Sequence, residues 1–393
     1  MSDSIQGRRY ALRFIVFMGV VSLFADMTYE GARSIGGPFL QSLGANATEV
    51  GIVVGFGEMI AASLRFFSGK LADHTRAYWL MAFLGYFMNL VAVPTLAFAG
   101  NWQLAALLVI AERTGKGLRG PAVDVLLSSA TVKVGHGWGF GLHTALDQTG
   151  AVLGPLMIVA MVARAHSFGP AFLPLAIPAV ASLVALFAAR RMHADVVAPQ
   201  HQPEQQPNLP KVFWWYVAAA GLLACGFVDF ALLAFHFQKT ALARPAMIPL
   251  LYAGAMGVNG LTAMIFGKLF DRFGTLVLAL GILVSVLSLP LGFLGGFGAA
   301  AAGVACWAAG LGVQDATLRS GIAQVVSMSR RGTAFGIFNG VFGVSWFLGS
   351  AAMGILYDHS VTALVVFGMI AQIAAAILFF GLRKPLAAAI ARH

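Results

Sequence analysis

Twelve apolar runs, each close to 20 residues long, occupy most of this chain of 393 residues. A helix rises 1.5 Å per residue, so a run of about 20 apolar residues crosses roughly 30 Å of hydrocarbon. Because 59% of the residues are hydrophobic and 10% are charged, there is too little polar side chain to cover a soluble globule. We therefore predict an all-α membrane protein with twelve transmembrane helices near residues 11–33, 48–69, 77–99, 102–123, 137–163, 170–189, 212–237, 245–267, 275–294, 297–319, 333–356 and 361–382.

One polar segment, rich in Pro and Gln, interrupts the series of apolar runs between residues 190 and 211. Its composition is typical of a solvated linker. It predicts an N-terminal six-helix bundle over residues 1–189, a cytoplasmic linker over 190–211 and a C-terminal six-helix bundle over 212–393.

The two halves share short sequence matches in the same order. GKLAD at residues 69–73 recurs as GKLFD at 267–271, and FAD at 24–26 matches FVD at 227–229. Matched positions in two tandem sets of apolar runs indicate two pseudo-symmetric bundles, an architecture shared by many secondary transporters.

The flanking basic residues predict the orientation. If twelve helices alternate in direction, most of the lysines and arginines between them fall on the side that holds both termini, which is therefore expected to be cytoplasmic. This distribution accounts for the net charge of +10 and gives no reason to expect nucleic-acid binding. The first run is long and lacks a small-residue cleavage site, so we predict a spanning helix rather than a removable signal.

Charged side chains inside the predicted spans are the main functional candidates, because a charge at membrane depth is costly unless it meets a partner or a wet cavity. Asp26 and Asp229 occupy matched positions and are expected to face a central cavity, where they bind a cation or carry a proton. Lys116 and Arg119 lie nearer the cytoplasmic end of their span and are interpreted as snorkelling there. The predicted substrate- or proton-binding residues are Asp26, Glu30, Glu58, Arg113, His143, Asp147, Asp229 and His236.

Two readings remain open for the fifth span. His143 and Asp147 lie four residues apart on one helical face, a spacing that suits either a divalent metal or a histidine hydrogen-bonded to its aspartate. The metal-ligand set is therefore unknown. Around Asp229, phenylalanines at 227, 230, 235 and 237 suggest an apolar cavity suited to a lipophilic cation.

The turn at residues 69–76, together with six spans on each side of a linker, resembles the major facilitator superfamily over the whole chain. In that family this turn belongs to a cytoplasmic charge latch that helps gate transport. The resemblance implies gating roles for Asp73 and Arg76, and for Asp271 and Arg272 in the second copy.

Span five resembles the motif that marks exporters within the superfamily. Its matching residues are Gly141, Gly150 and Gly154 with Pro155, whereas Ile158 and Val159 replace the usual final glycine pair. Small residues one turn apart allow close helix approach, and the proline allows bending, so Gly150, Gly154 and Pro155 are further gating candidates. By resemblance to a span-four motif, Arg113 would take part in proton coupling. The segment 112–129 is similar to bacterial exporters that include nickel-resistance proteins.

The sequence contains neither a catalytic nucleophile motif nor a phosphate-binding loop, so we expect neither an enzyme nor a cofactor. The favoured function is a proton-coupled exporter that moves a small lipophilic or cationic molecule by alternating access. We expect a monomer in the lipid bilayer of a bacterial inner membrane, driven by the proton gradient. The alternatives are a divalent metal exporter, for nickel, iron or cobalt, and a non-transporting receptor with a transporter-like fold.

Overall fold

The computed structural model describes residues 2–131, 134–165, 167–192, 209–326 and 330–390. Residues 193–208 of the predicted linker lie outside the described residues. The first half contains α1 (Ser2–Arg33), α2 (Gly36–Ser42), α3 (Ala47–Thr75), α4 (Tyr78–Thr95), α5 (Trp102–Thr131), α6 (His136–Ala165) and α7 (Ala176–Met192). The second half contains α8 (Lys211–Gly226), α9 (Phe230–Lys239), α10 (Met247–Phe273), α11 (Thr275–Val286), α12 (Ser288–Leu294), α13 (Phe297–Val325), α14 (Arg331–His359), α15 (Val361–Gly381) and α16 (Arg383–Ile390).

Eleven candidate membrane spans occur among the described residues, judged by length and composition. The predicted span absent from these eleven is the fourth, residues 102–123, which corresponds to α5. This 30-residue helix carries charged residues at Glu112, Arg113, Lys116, Arg119 and Asp124. The fold is therefore all-α and multi-pass, as the apolar runs predict.

The predicted seventh span, residues 212–237, is confirmed as a candidate span at Lys211–Lys239, and it contains a break in its helix. The backbone leaves the helical conformation between Gly226, the last residue of α8, and Phe230, the first of α9. Smaller differences occur elsewhere: α1 begins at Ser2, the sixth span opens with a 3-10 helix at Gly169–Leu175, and the ninth span is divided between α11 and α12. The cause of the break in the seventh span lies in its contacts, described below.

The chain separates into two compact units that are discontinuous in sequence. The first unit comprises residues 1–39, 64–200 and 245–253, and the second comprises 40–63, 201–244 and 254–393. The predicted bundles, with boundaries at 189 and 212, are each continuous in sequence, whereas these units are not. The predicted boundaries therefore stay a prediction.

In the first unit, α1 packs along α6 and α7, and α4 packs along α5. Small residues allow the close contact of α4 with α5, because a Cβ added at Gly115 would lie 2.6 Å from the Gly85 carbonyl oxygen. Ser182 on α7 donates a 2.8 Å hydrogen bond to the Val21 carbonyl of α1. These contacts fix the faces of α1, α4, α5 and α6 that carry the candidate residues.

In the second unit, α8 packs against α14 and α15, and α11 packs against α13 and α15. A core of buried side chains, including Phe213, Tyr216 and Phe379, fills the space between these helices. The Tyr216 hydroxyl donates to the Leu318 carbonyl at 3.0 Å, so the buried phenol is satisfied.

Candidate functional site

Glu30 on α1 is a buried acid with one hydrogen-bond partner and two cationic partners. The Tyr252 hydroxyl donates a 2.5 Å hydrogen bond to Glu30 Oε2. Glu30 Oε1 lies 3.8 Å from Arg33 Nη1 and 3.9 Å from Lys116 Nζ. Glu30 is 7% exposed, and this network of one phenol and two cations makes its burial tolerable.

Asp26 lies one turn before Glu30 on the same helix and is 4% exposed. Its carboxylate interacts with the side chain of Tyr29 and lies within electrostatic range of Asp147, Glu30 and Lys116. The structure thus brings together three of the predicted site acids, two from α1 and one from α6. Acids within electrostatic range of one another influence each other's affinity for protons and cations, so the cluster is chemically suited to exchange one for the other.

His143 and Asp147 both lie on α6, and both are half-buried. His143 Nε2 lies 2.9 Å from Ser22 Oγ of α1, in a hydrogen bond whose direction depends on the histidine tautomer. Ser22 is one turn before Asp26, so His143 joins the same contact between α1 and α6.

Arg119 is buried and Lys116 is half-buried against aromatic rings, whereas the sequence interpretation expected both to snorkel. Arg119 is 8% exposed, and its Cζ lies 4.2 Å from the ring centre of Tyr86 and 5.6 Å from that of Tyr29. Lys116 Nζ lies 4.2 Å from the ring centre of Tyr29. The two cations are retained inside the protein because aromatic faces and nearby acids replace part of their hydration.

Arg113, predicted to couple protons, is 5% exposed and lies beside its neighbour Glu112 on α5. Its Nε is 3.2 Å from Glu112 Oε2. Asn89 Nδ2 on α4 donates to Glu112 Oε1 at 2.7 Å and to the Glu112 carbonyl at 3.1 Å. The Glu112 and Asn89 contacts thereby hold Arg113 in place, while its coupling role stays a prediction.

The glycines of the exporter-like motif lie against the backbone of α1. A Cβ added at Gly150 would be 2.1 Å from the Leu23 carbonyl oxygen, and one at Gly154 would be 2.3 Å from that of Met27. By contrast, nothing lies within 4 Å of a Cβ added at Gly141. Pro155, inside α6, is buried beside this contact. Gating by these residues stays a prediction, but Gly150 and Gly154 are required for the close contact of α1 with α6.

Asp229 in the second unit occupies a different environment from Asp26. It is the N-cap residue of α9, and its Oδ1 accepts a 2.9 Å hydrogen bond from the backbone N–H of Ala231. It is 4% exposed and lines a small pocket with residues that include Gly51, Val54 and Met353. A capping aspartate supplies an acceptor to the free N–H groups of a helix start, which explains why α9 begins there.

Side chains from two other helices satisfy the carbonyl groups released by the break. Gln372 Nε2 on α15 donates to the Gly226 carbonyl at 2.8 Å, and Trp307 Nε1 on α13 donates to the Val228 carbonyl at 2.8 Å. Ser285 Oγ donates to Gln372 Oε1 at 2.6 Å and so orients the amide. Every one of these donors is buried. Because buried polar groups need hydrogen-bond partners, these side chains stabilise the break.

His236 is 6% exposed, and its Nδ1 lies 2.9 Å from the Tyr357 hydroxyl. Its ring centre is 5.1 Å from that of Phe293.

The four phenylalanines predicted to surround a cavity, at 227, 230, 235 and 237, are each at most 2% exposed. They pack against other aromatic residues, including Trp307 and Tyr357, and so form part of the core of this unit.

The two copies of the repeated turn share an unusual backbone position. Arg76 has a φ of 53°, and Gly274, which matches it three residues after the repeated aspartate, has a φ of 59°. The side chains of Arg76 and Arg272 are exposed, whereas those of Asp73 and Asp271 lie outside the described residues. The latch roles of all four predicted residues stay predictions.

The remaining sequence predictions concern Glu58 and a metal site. Glu58 is half-buried on the part of α3 that belongs to the second unit. Among the described residues, no three His, Cys, Asp or Glu side chains come together in a way that could hold a metal ion. The metal alternative therefore has no candidate ligand set within that part of the chain.

Comparison with known proteins agrees with this architecture. Residues 12–314 match the sequence profile of the Major Facilitator Superfamily. The chain belongs to that superfamily. It is a secondary transporter and not an enzyme.

Relatives and solved structures of the superfamily cover nearly the full chain. An uncharacterised protein of Mycobacterium tuberculosis is 40% identical over 384 residues, which is 95% of this chain and 94% of the relative. An uncharacterised MFS-type transporter of Methanocaldococcus jannaschii is 24% identical over 375 residues, 93% of each chain. The crystal structure of a peptide transporter POT has a TM-score of 0.72 at 15% identity, covering 96% of this chain and 95% of that one. That of the nucleoside transporter NupG has a TM-score of 0.70 at 12% identity, covering 96% and 98%. At these identities the structures are similar in fold alone.

Sequence reasoning missed several polar side chains around the charged residues of α1 and α5 in this transporter. Tyr29, Tyr86, Asn89 and Tyr252 carry hydrogen bonds or ring contacts to charged residues of these two helices. A signal was present for Tyr29, which lies between Asp26 and Glu30 and therefore close to both on the helix. Tyr252 is 222 residues from Glu30, and neither periodicity nor repeat matching connects such a pair.

Proposed function

We propose that this transporter is a proton-coupled exporter of small organic cations with an apolar or aromatic body. The observation that carries the proposal is the cluster formed by the buried acids Asp26 and Glu30 and the half-buried Asp147, with the rings of Tyr29 and Tyr86 beside it. Acids supply an exchangeable negative charge, and electron-rich rings bind the face of a cation without hydration.

Proton coupling is supported by the shared electrostatics of the cluster. Asp26 and Asp147 interact with each other and with Arg119, so adding a cation near one of them changes the cost of keeping a proton on the others. A substrate cation and a proton then compete for the same negative charge, which is the requirement for exchange in opposite directions.

Export is supported by the resemblance of span five to the exporter motif and by the close contact of its glycines with α1. We further propose that the protein acts as a monomer in a bacterial inner membrane. Both termini are placed in the cytoplasm, since the distribution of basic residues favours that orientation. A reporter that is active only in the cytoplasm, fused at the C-terminus, tests the orientation.

A transport assay in proteoliposomes tests the function. The full chain is reconstituted with an acidic lumen and neutral exterior, and benzyltrimethylammonium, a small aromatic quaternary cation, is added outside. We expect accumulation of the cation, loss of lumenal protons, and abolition of both by an ionophore that collapses the pH gradient. Equal accumulation of the cation with and without the pH gradient would contradict proton coupling. Binding without any movement would favour the receptor alternative.

A further inference from the structure

The ammonium group of Lys116 occupies a well-defined position in the acidic cluster. Its Nζ lies 3.9 Å from Glu30 Oε1 and 4.2 Å from the ring centre of Tyr29. Glu30 and Tyr29 are both on α1, whereas Lys116 reaches them from α5. A carboxylate and an aromatic face thus hold one positive charge between them.

This pair of groups has the chemistry that recognises an organic ammonium ion. A carboxylate attracts the charge, and the face of a phenol ring stabilises it through its negative quadrupole. Glu30 is held in position by the Tyr252 hydroxyl and by Arg33. The receiving groups are therefore fixed, while the lysine that fills the site is at the end of a flexible four-carbon chain.

We propose that Glu30 and Tyr29 form the binding site for the ammonium group of the substrate, and that Lys116 fills this site as an internal competitor until a substrate displaces it. The inference deepens the proposed function, on which it depends for the substrate class. It adds a specific pair of residues and a mechanism of displacement.

Lys116 is suited to leave the site. Its side chain is 21% exposed, against 9% for Glu30, so the competitor is the more accessible partner. Asp26 lies within electrostatic range of Lys116 and offers the displaced ammonium a second acid on the same helix. Displacement therefore exchanges one acidic partner for another.

Calorimetry of the full chain in lipid nanodiscs tests the proposal, with benzyltrimethylammonium as the probe. Lys116→Met removes the competitor, keeps most of the side-chain volume, and should tighten binding about tenfold. Arg191 provides a control, since its Cζ also lies close to an aromatic ring centre, 4.5 Å from that of Phe187. Arg191→Met should leave the affinity unchanged. Unchanged or weaker binding in Lys116→Met, with a normal melting temperature, would overturn the proposal.

A second set of variants separates a built site from a general gain of negative charge. In the Lys116→Met background, Tyr29→Phe keeps the aromatic face and should keep the tighter binding, whereas Tyr29→Leu should lose it. Equal affinities for these two double variants would overturn the site, because the ring would then contribute nothing. If wild-type protein still exchanges the cation for protons in liposomes, that result rejects only the Glu30–Tyr29 site and leaves the proposed function standing. Failure of exchange in wild type would reject the proposed function itself.

Discussion

The two matched aspartates of the repeat have different structural surroundings. Asp26 lies within the uninterrupted helix α1, where its neighbours are the charged and aromatic side chains of α1, α5 and α6. Asp229 lies at the break between α8 and α9, where its carboxylate accepts a backbone N–H. One acid interacts with a network of charged side chains, and the other caps the N-terminus of a helix.

This contrast shows that a sequence repeat preserves the position of an acid without preserving its structural environment. Around Asp26 the backbone N–H and carbonyl groups bond to each other within α1. The carboxylate is therefore not needed as a backbone acceptor and can interact with ions. Around Asp229 the backbone needs outside partners, and Gln372, Trp307 and the carboxylate itself supply them. Pseudo-symmetry in sequence is therefore compatible with functional asymmetry between the halves.

The largest expected effect comes from neutralising each aspartate in turn. Asp26→Asn removes the exchangeable charge and should reduce proton-driven uptake of benzyltrimethylammonium to the level of liposomes without protein. Asp229→Asn should retain uptake within about twofold, because asparagine caps a helix as well as aspartate does. The measurement is initial uptake under an imposed pH gradient.

Asp229→Ala is the control that isolates the cap. It removes the acceptor and should lower the free energy of unfolding by about 1 kcal/mol, whereas Asp229→Asn should not. Loss of transport in Asp229→Asn at normal stability would show that both acids depend on charge, and the contrast between them would fail.

The next effect concerns the packing that accompanies the uninterrupted α1. Gly150→Ala would place a methyl group 2.1 Å from the Leu23 carbonyl oxygen, so α1 and α6 must separate. We expect a loss of about 3 kcal/mol in the free energy of unfolding, measured in mixed detergent micelles. Gly141→Ala, where the added atom meets nothing within 4 Å, should be neutral or stabilising. Equal losses in the two variants would mean that helix propensity, not close approach, determines the effect.

The contrast also explains which features could be predicted from the sequence. Apolar periodicity locates the spans, since each must match the thickness of the hydrocarbon by itself. The break at residues 227–229 depends on Trp307 and Gln372, which are 79 and 146 residues from the carbonyls they satisfy. Similarly, the position of Lys116 depends on Tyr29 from another helix. The sequence interpretation expected this lysine to snorkel, because spacing along one helix does not identify a partner on another helix.

Removing a partner of the break gives an intermediate effect. Gln372→Leu deprives the buried Gly226 carbonyl of its donor and should cost about 2 kcal/mol in the free energy of unfolding. Gln314 is also buried, but its Nε2 bonds weakly within its own helix, to Gly310 at 3.3 Å. Gln314→Leu should therefore cost less than about 1 kcal/mol. If the two losses are equal, the break does not depend on Gln372 for its stability.

The smallest effect tests whether the repeated turn diverges as the repeated aspartates do. Gly274 has a φ of 59° and a ψ of −142°, a region that is essentially restricted to glycine. Gly274→Ala should cost about 1 kcal/mol in the free energy of unfolding.

Arg76 has a similar φ of 53°, so Arg76→Gly relieves strain but also increases the freedom of the unfolded chain. These two changes oppose each other, and we expect a net change within about 0.5 kcal/mol. Reduced transport in Arg76→Gly at unchanged stability would assign the arginine side chain a role that Gly274 cannot share. Normal transport would instead show that the two turns are equivalent in function, and that the divergence of the halves is confined to the aspartates.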